Sequence, residues 1–407
     1  LNPDLENSLE IKLHNWRCFV SSSFVLPDKS LIIIGDNGSG KTSLLSGIYS
    51  LYTKKPWPRT KLISHLRNNT QYFGISSQFS NWSFNGKLGS SGKLVTKYDR
   101  PSIYPFKFNS NKLEDCLKSY NLDYTDKLSG LKPVLKKDIS SSFQKSWPKI
   151  LTYSPEDNYW LSFSRSQKLA YFDDFLKELF DKKFKQTLKK LDQNVLAKQK
   201  LIKKKVQENC SIDTSLLTSL NKEILESSIT VWHYRWFFIK KIKTEIHKFS
   251  SWIRSPLKNW KLDWEVLDLT GKPEKLEDLD TFLKKILDQS SQSFYWQELW
   301  KKELILQKNL FGATRDNFYF ESNHTLASQS LSRGENRLLI LFIKKLLQDA
   351  ILEQDKNALI WWFLDDVFNE FDLEKEALVK EEILTTSHKF LITATKKPNF
   401  DVLEFKI

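Results

Sequence analysis

Residues Gly35, Asp36, Asn37, Gly38, Ser39, Gly40, Lys41 and Thr42 fit G-x-x-x-x-G-K-[ST] at every fixed position, with Ser43 directly after them. The pattern follows four apolar residues, Leu31 to Ile34, and precedes a segment with apolar residues at Leu44, Leu45, Ile48 and Leu51. A buried strand, a glycine loop and a helix are therefore predicted in the order that a phosphate cradle requires. In such a cradle the curled backbone turns its N–H groups toward phosphate oxygens. Lys41 reaches the β- and γ-phosphates, the Thr42 hydroxyl binds Mg²⁺, and the helix N-terminus adds partial positive charge. Binding of a nucleoside triphosphate is implied; the competing reading is a glycine turn that matches by chance.

Two further groups could complete that chemistry. The apolar run Leu359 to Leu364 ends in Asp365 and Asp366. Asp365 would hold the Mg²⁺ shell beside Thr42, and Asp366 would orient or deprotonate an attacking water. An acidic turn or helix cap is the plainer alternative. Ser332, Arg333, Gly334 and Glu335 precede the apolar run Leu338 to Ile343 and predict a second helix N-terminus able to donate to an anion, which alone is not a site.

The chain that must position these groups has 407 residues, enough for two or three domains. Its formal charge of +14 implies an anionic partner, nucleic acid or a membrane surface, between which charge cannot choose. No apolar run approaches the roughly 20 residues of a membrane helix, and Leu1 to Glu6 carries no basic region before an apolar one. A soluble cytoplasmic protein without membrane partners is expected. Cys18, Cys116 and Cys210 are far apart and odd in number, so they suggest ordinary thiols rather than a disulfide framework or zinc site.

Along the chain, Leu9, Ile11 and Leu13 and then Phe24 to Leu26 read as strands of the sheet that carries the glycine loop. Asn15 to Phe19 between them reads as a strand-end turn. Short β-like runs at Gln71 to Phe79, Trp82 to Phe84 and Lys93 to Tyr98, with a hairpin signal at Asn85-Gly86, predict an antiparallel edge sheet. Ile150 to Tyr153 is a strand ending at Ser154-Pro-Glu-Asp157. One long helical pattern then runs through Leu176, Leu179, Phe180, Phe184, Leu188, Leu191 and Val195, with Lys182, Lys183, Lys185, Lys189 and Lys190 on its other faces and a basic run from Lys198 to Lys205. A second holds Trp232, Trp236, Ile239, Ile242, Ile246 and Phe249, and a third Leu279, Leu283, Ile286 and Leu287. These lysines are either a solvated face or a nucleic-acid contact surface.

Taken in order, the glycine loop, the long insertion, Ser-x-Gly-Glu and the strand ending in Asp-Asp resemble the ABC-type head of SMC-like ATPases. Within that group the chain is similar to the RecF family of bacterial recombination mediators, over nearly its whole length. Asn15-Trp-Arg17 corresponds to that family's Asn-Phe-Arg, Arg59-Thr60 and Leu62-Ile63 to its Arg-Thr and Leu-Ile pair, and Ser154 to Asp157 to its Pro-Glu-Asp element. Gly312 to Asn317 stands for Gly-Pro-His-Arg-Asp-Asp, Ser332 to Glu335 for the signature, and Leu364 to Asp372 for Leu-Asp-Asp-Val-Leu-Ser-Glu-Leu-Asp. Departures occur at Lys168, Leu169 and Ala170 in place of arginines, at Ala313-Thr314 in place of Pro-His, and at the bulky Trp361 and Trp362.

This resemblance implies an α/β fold, an ABC-type P-loop ATPase head of mixed sheet with antiparallel edge strands. Residues 1–170 and 301–407 would form the ATPase lobe and 171–300 an inserted helical arm lobe. ATP and Mg²⁺ are the implied cofactors, held by residues 35–43 of one subunit, with Ser332, Arg333, Gly334 and Glu335 of another closing over the γ-phosphate. Lys41, Asp366 and Ser332 would be catalytic, and Thr42 and Asp365 would serve the metal. Asn369 and Asp372 occupy the D-loop position, Thr395 (Thr393 being second choice) the γ-phosphate sensor, Arg17 would reach the nucleotide, and Pro155 to Asp157 would be a Q-loop analogue. The implied function is slow, dimer-dependent ATP hydrolysis on duplex DNA and single/double-strand junctions, in recombinational repair with RecO and RecR loading RecA. Alternatives are another SMC-like or overcoming-lysogenization-defect-like ATPase in phage defence, or an ABC transporter nucleotide-binding subunit. The about 290 residues between Thr42 and Ser332 are long for the latter.

Overall fold

The computed structural model describes residues 8–27, 29–53, 55, 57–58, 60, 65, 72–80, 82–84, 87–89, 92–99, 148–180, 182–208, 213–254 and 259–407. Arg59, Leu62, Ile63, Gln71, Asn85, Gly86, Cys116 and Cys210 lie outside the described residues. Two compact units result, Leu1–Ser154 with Ala358–Ile407, and Pro155–Asn357. The ATPase segments expected at 1–170 and 301–407 each cross one of these boundaries.

In the first unit, β3 (Leu31–Ile34) is the second strand of a five-stranded parallel sheet ordered β15 (Leu403–Lys406), β3, β14 (Lys389–Ala394), β13 (Ile360–Leu364) and β8 (Lys149–Tyr153). β13 is buried at every position, as a central parallel strand covered on both faces must be. Its bulky Trp361 is accommodated edge-on against Tyr52, at a centroid distance of 4.9 Å, with the Lys389 ammonium 4.8 Å from the ring.

The N-terminal strands differ from expectation. β1 (Ser8–Trp16) and β2 (Phe19–Pro27) are not strands of the sheet that carries the loop; they form a separate antiparallel sheet ordered β2, β1, β4 (Tyr72–Ser80), β7 (Gly92–Asp99). The expected runs at 71–98 supply β4 and β7, and β5 (Trp82–Phe84) pairs with β6 (Lys87–Gly89) in a two-stranded ribbon. Helix α1 (Lys41–Thr53) shares one apolar core with residues of both larger sheets: Ile11, Leu13 and Trp16 on one side, and Leu31, Ile33, Phe363 and Leu391 on the other. Covered all round, the helix carries no charge after Lys41. Leu44, Leu45, Ile48 and Leu51 are essentially inaccessible, each burial contributing roughly 1.5–3 kcal/mol. At Gly47 an added Cβ would come within 2.8 Å of Leu13 Cδ2, so the small residue lets β1 pack directly on the helix.

The second unit is not helical throughout. It contains α2 (Arg165–Leu179), α3 (Lys182–Glu208), α4 (Thr214–Glu245), α5 (Leu279–Ser291), α6 (Ser293–Leu306) and α7 (Arg333–Gln354). With them stands an antiparallel sheet ordered β10 (Pro273–Lys275), β9 (Trp260–Leu267), β11 (Asn317–Ser322), β12 (Thr325–Leu326). The long helical pattern is broken: Leu176 and Leu179 belong to α2, which Phe180 caps, and the buried seam of α3 runs through Phe184, Leu188, Leu191, Val195, Lys198 and Ile202. That 3.5-residue spacing is the seam of a helix pair, and α3 packs against α4. Lys198 is therefore no part of a basic surface. It sits in the seam and pairs with the buried Glu303 of α6, Nζ to Oε1 3.0 Å, while Glu303 also accepts the Leu310 N–H.

Candidate nucleotide site and its neighbours

The glycine loop connects the carboxyl end of β3 to the first turn of α1, the end of a parallel sheet at which ligands are bound. Gly38 and Gly40 take φ of +86° and +107°. At Gly40 a Cβ would come within 2.6 Å of Phe19 Cζ and 3.0 Å of Cys18 Sγ, so glycine is required there for space as well as for backbone. Those contacts come from the tight Arg17-Cys18 turn joining β1 to β2. Arg17 has φ +50° and its N–H donates to the His65 carbonyl at 2.8 Å. Trp16 Nε1 donates to the Ser43 carbonyl at 2.8 Å and fixes the turn to the start of α1. The buried Lys41 ammonium donates to the carbonyls of Gly35 at 2.7 Å and Asp36 at 2.9 Å, inside the curve of the loop.

One strand lies between β3 and β13, and across it the ends of the two strands meet. Thr42 Oγ1 donates to Asp365, 2.8 Å to Oδ1 and 3.1 Å to Oδ2, although the residues stand 323 positions apart. The Asp365 N–H donates to the Tyr153 carbonyl at 2.9 Å, which ties its backbone to β8. Asp366 follows in a left-handed conformation, φ +49°. Thr393 touches Asp365, Oγ1 to Oδ1 2.6 Å, whereas the Thr395 hydroxyl donates weakly to Asn369 Oδ1 at 3.4 Å. Asp372 caps α8 (Leu373–Val379) by accepting the Lys375 N–H at 2.9 Å, and hydrogen bonds from Lys375 hold its carboxyl below the usual range.

Among the described residues no cluster of three or more His, Cys, Asp or Glu could hold a metal. One hydroxyl and one carboxylate do fit Mg²⁺, which keeps several waters and takes the remaining oxygens from phosphate. Thr42 and Asp365 would hold it.

Ser332 lies in the other unit, as the N-cap of α7. Its Oγ accepts the Glu335 N–H at 3.2 Å, and its own N–H donates to Glu335 Oε2 at 2.8 Å, a reciprocal capping box. Glu335 is thus a capping residue, and Ser332 and Arg333 are exposed. Within the same unit Asp157 is wholly buried and accepts from Tyr171 Oη at 2.6 Å and Lys344 Nζ at 3.0 Å. Its carboxylate belongs to the packing of α7, and Asn336 Nδ2 of that helix donates to the Asn158 carbonyl.

The Gly312 to Asn317 motif is organised by two residues that sequence reasoning did not find, Asp173 of α2 and Arg235 of α4. Arg235 makes a bidentate pair with Asp173 (2.9 and 2.8 Å) and donates through Nη1 to Asp316 Oδ2 and the Ala313 carbonyl, each at 2.5 Å. Trp232 Nε1 donates to both Asp316 oxygens, at 3.1 and 3.2 Å. Burial pushes the Asp316 carboxyl up to about 6 against the pull of Arg235. An isolated Arg in a tryptophan-rich helical pattern was the available signal.

The AAA domain family profile matches residues 10–383. The chain belongs to the AAA domain family. This AAA-domain chain is 23% identical over 384 residues to the DNA replication and repair protein RecF of Acholeplasma laidlawii (strain PG-8A), covering 94% of its own length and 92% of that protein. It is 24% identical over 389 residues to RecF of Bacillus thuringiensis (strain Al Hakam), covering 95% and 91%. Among solved structures it resembles the recombination mediator protein RecF-ATPrS of the RecFOR pathway, at TM-score 0.68, 19% identity and 99% and 97% coverage. The RecF-ATP structure of that pathway gives TM-score 0.67, 18% identity and 98% coverage of both chains. The fold is the α/β P-loop head of ABC-type ATPases, and the sequence is a divergent relative of RecF.

Proposed function

We propose that this chain is an ATPase of RecF type that binds DNA in recombinational repair and replication restart. The observation that carries the reading is the contact of Thr42 with Asp365, which brings a phosphate loop and an acidic strand end into one site. Lys41 would exchange the loop carbonyls for β- and γ-phosphate oxygens, and residues 35–43 would cradle the triphosphate with their N–H groups. Thr42 can donate its proton to Asp365 and still offer a lone pair to Mg²⁺, which when bound neutralises phosphate charge. Asp366 would orient the attacking water, and Arg17 would reach the nucleotide beside the loop. Ser332, Arg333 and Gly334 would act on ATP held by a second copy, with Asn369, Asp372 and Thr395 at the same junction. Since ATP makes both sets of contacts only in the closed pair, its differential affinity would drive dimerisation, and hydrolysis would release it. Turnover is slow because two chains must meet before water is positioned.

The charge of +14 calls for an anionic partner, and the likeness to DNA replication and repair proteins makes DNA the one we assign. Exposed Lys182, Lys185, Lys189, Lys200, Lys203 and Lys204 fall within an arc of about 100° on α3, a stripe suited to a phosphate backbone. We place residues 171–300 as the arm between ATPase segments 1–170 and 301–407, and RecO and RecR as partners in loading RecA in the cytoplasm. Mass measurement in solution with and without ATP, and with and without gapped duplex, tests the reading. ATP-dependent dimers that bind gapped DNA, with affinity falling steeply as salt rises, are expected. A monomer under every condition, or salt-insensitive binding, would overturn it.

A further inference from the structure

Thr393 lies on β14, wholly buried, beside Ile33 of β3 and next to the position that pairs with Leu364 of β13. Its hydroxyl is used in both directions. It donates to Asp365 Oδ1 at 2.6 Å and accepts the Asp366 N–H at 2.9 Å. A hydroxyl has one proton, so donation to the carboxylate leaves a lone pair for the peptide and fixes the rotor.

Each bond constrains a different acidic residue. Asp365 Oδ1 accepts from Thr42 and Thr393 together, so the carboxylate is clamped from the glycine loop and from β14. The Thr42 proton is then committed to Asp365 and its lone pairs face away. The bond to the Asp366 N–H holds the peptide at the point where the backbone enters φ +49°, a conformation that a non-glycine residue keeps only when its surroundings over-determine it. We propose that Thr393 is a positioning residue whose single hydroxyl sets the relative orientation of Asp365 and Asp366, and thereby the Mg²⁺ dependence of nucleotide binding. This rests on the ATPase reading above and assigns Thr393 a part other than γ-phosphate sensing.

The test uses the full chain with Thr393→Val, which keeps the branched shape and removes both hydrogen bonds, and Thr393→Ser, which keeps them. Binding of a fluorescent ATP analogue is titrated with Mg²⁺, beginning in chelator, and turnover is measured separately. Thr393→Val should bind nucleotide in chelator as the wild type does, yet need about tenfold more Mg²⁺ for its metal-dependent step, the usual effect of losing a group that orients a metal ligand. Its kcat should fall about tenfold or more while KM for ATP stays within about threefold, and Thr393→Ser should restore both. If the valine variant does not fold, Thr393→Cys, a much weaker hydrogen-bonding group, carries the same expectation. Wild-type Mg²⁺ dependence in Thr393→Val, or a serine variant as impaired as the valine one, overturns the proposal while leaving the ATPase reading intact. A wild-type protein that binds no nucleotide overturns both.

Discussion

Lys344 of α7 forms a buried ion pair with Asp157, 3.0 Å between Nζ and Oδ2. The carboxylate comes from the Pro-Glu-Asp element and the ammonium from the helix that Ser332 caps, so two sequence motifs are joined by a residue in neither. Lys344 also lies 5.8 Å from the ring centroids of Tyr171 and Phe175, which gives the charge aromatic faces in place of water. Removing one partner of such a pair leaves the other charge buried, which costs about 3–5 kcal/mol. Lys344→Met should lower the free energy of unfolding in urea by that order; a loss below about 1 kcal/mol would show that the pair does not anchor α7.

Nucleotide binding should depend on Lys41 more than on any other side chain of the loop. Its two bonds to Gly35 and Asp36 carbonyls would be replaced by charge-assisted bonds to phosphate, each worth about 1.5–3 kcal/mol. Lys41→Ala should raise the Kd for ATP by about two orders of magnitude or more in calorimetry. Unchanged affinity would remove the phosphate role of the loop.

Asp316 makes stability depend on pH in a direction opposite to that of an ordinary salt-bridged carboxylate. Its pKa is raised by burial from 3.8 to about 6, so between those values the folded chain holds a proton that the unfolded chain has released. Stability from this group is therefore full below the unfolded value and falls as pH rises toward the folded one. Wild-type stability minus that of Asp316→Asn should decline by up to about 1.4 kcal/mol per pH unit across that window and level off above about pH 7. A difference that grows with pH would contradict the assignment.

What could be read from the sequence was what is local. The strand at Leu31 to Ile34, the loop from Gly35 and the run ending in Asp365 and Asp366 declare themselves by residue type and spacing within a dozen positions. The hydrogen bond from Thr42 to Asp365 spans 323 positions and leaves no local trace. Nor did alternation at Trp260 to Leu267 stand out between strong helical patterns, though it buries Trp260, Leu262, Trp264 and Val266 on β9. Lys198 reads as surface by composition, because only the opposing Glu303 of α6 makes its burial tolerable. β1 and β2 precede β3 in the chain yet join another sheet, a choice made by the all-round apolar α1, which needs cover on two sides.

Nucleotide binding and dimerisation are separable at Ser332. Ser332 is exposed at the start of α7, where its side chain accepts one N–H and leaves the neighbouring helix-start groups available to an anion. Replacing it by Arg removes the cap, at about 1 kcal/mol, and places a long side chain where a second copy's triphosphate would dock. Nothing in the glycine loop changes. Ser332→Arg should therefore bind ATP with wild-type affinity yet remain monomeric by light scattering in saturating ATP, while Ser332→Ala, which loses only the cap, should still form some dimer. A Ser332→Arg protein that dimerises with ATP as the wild type does would show that α7 does not act across the pair, whatever Lys41 and Asp365 do within one chain.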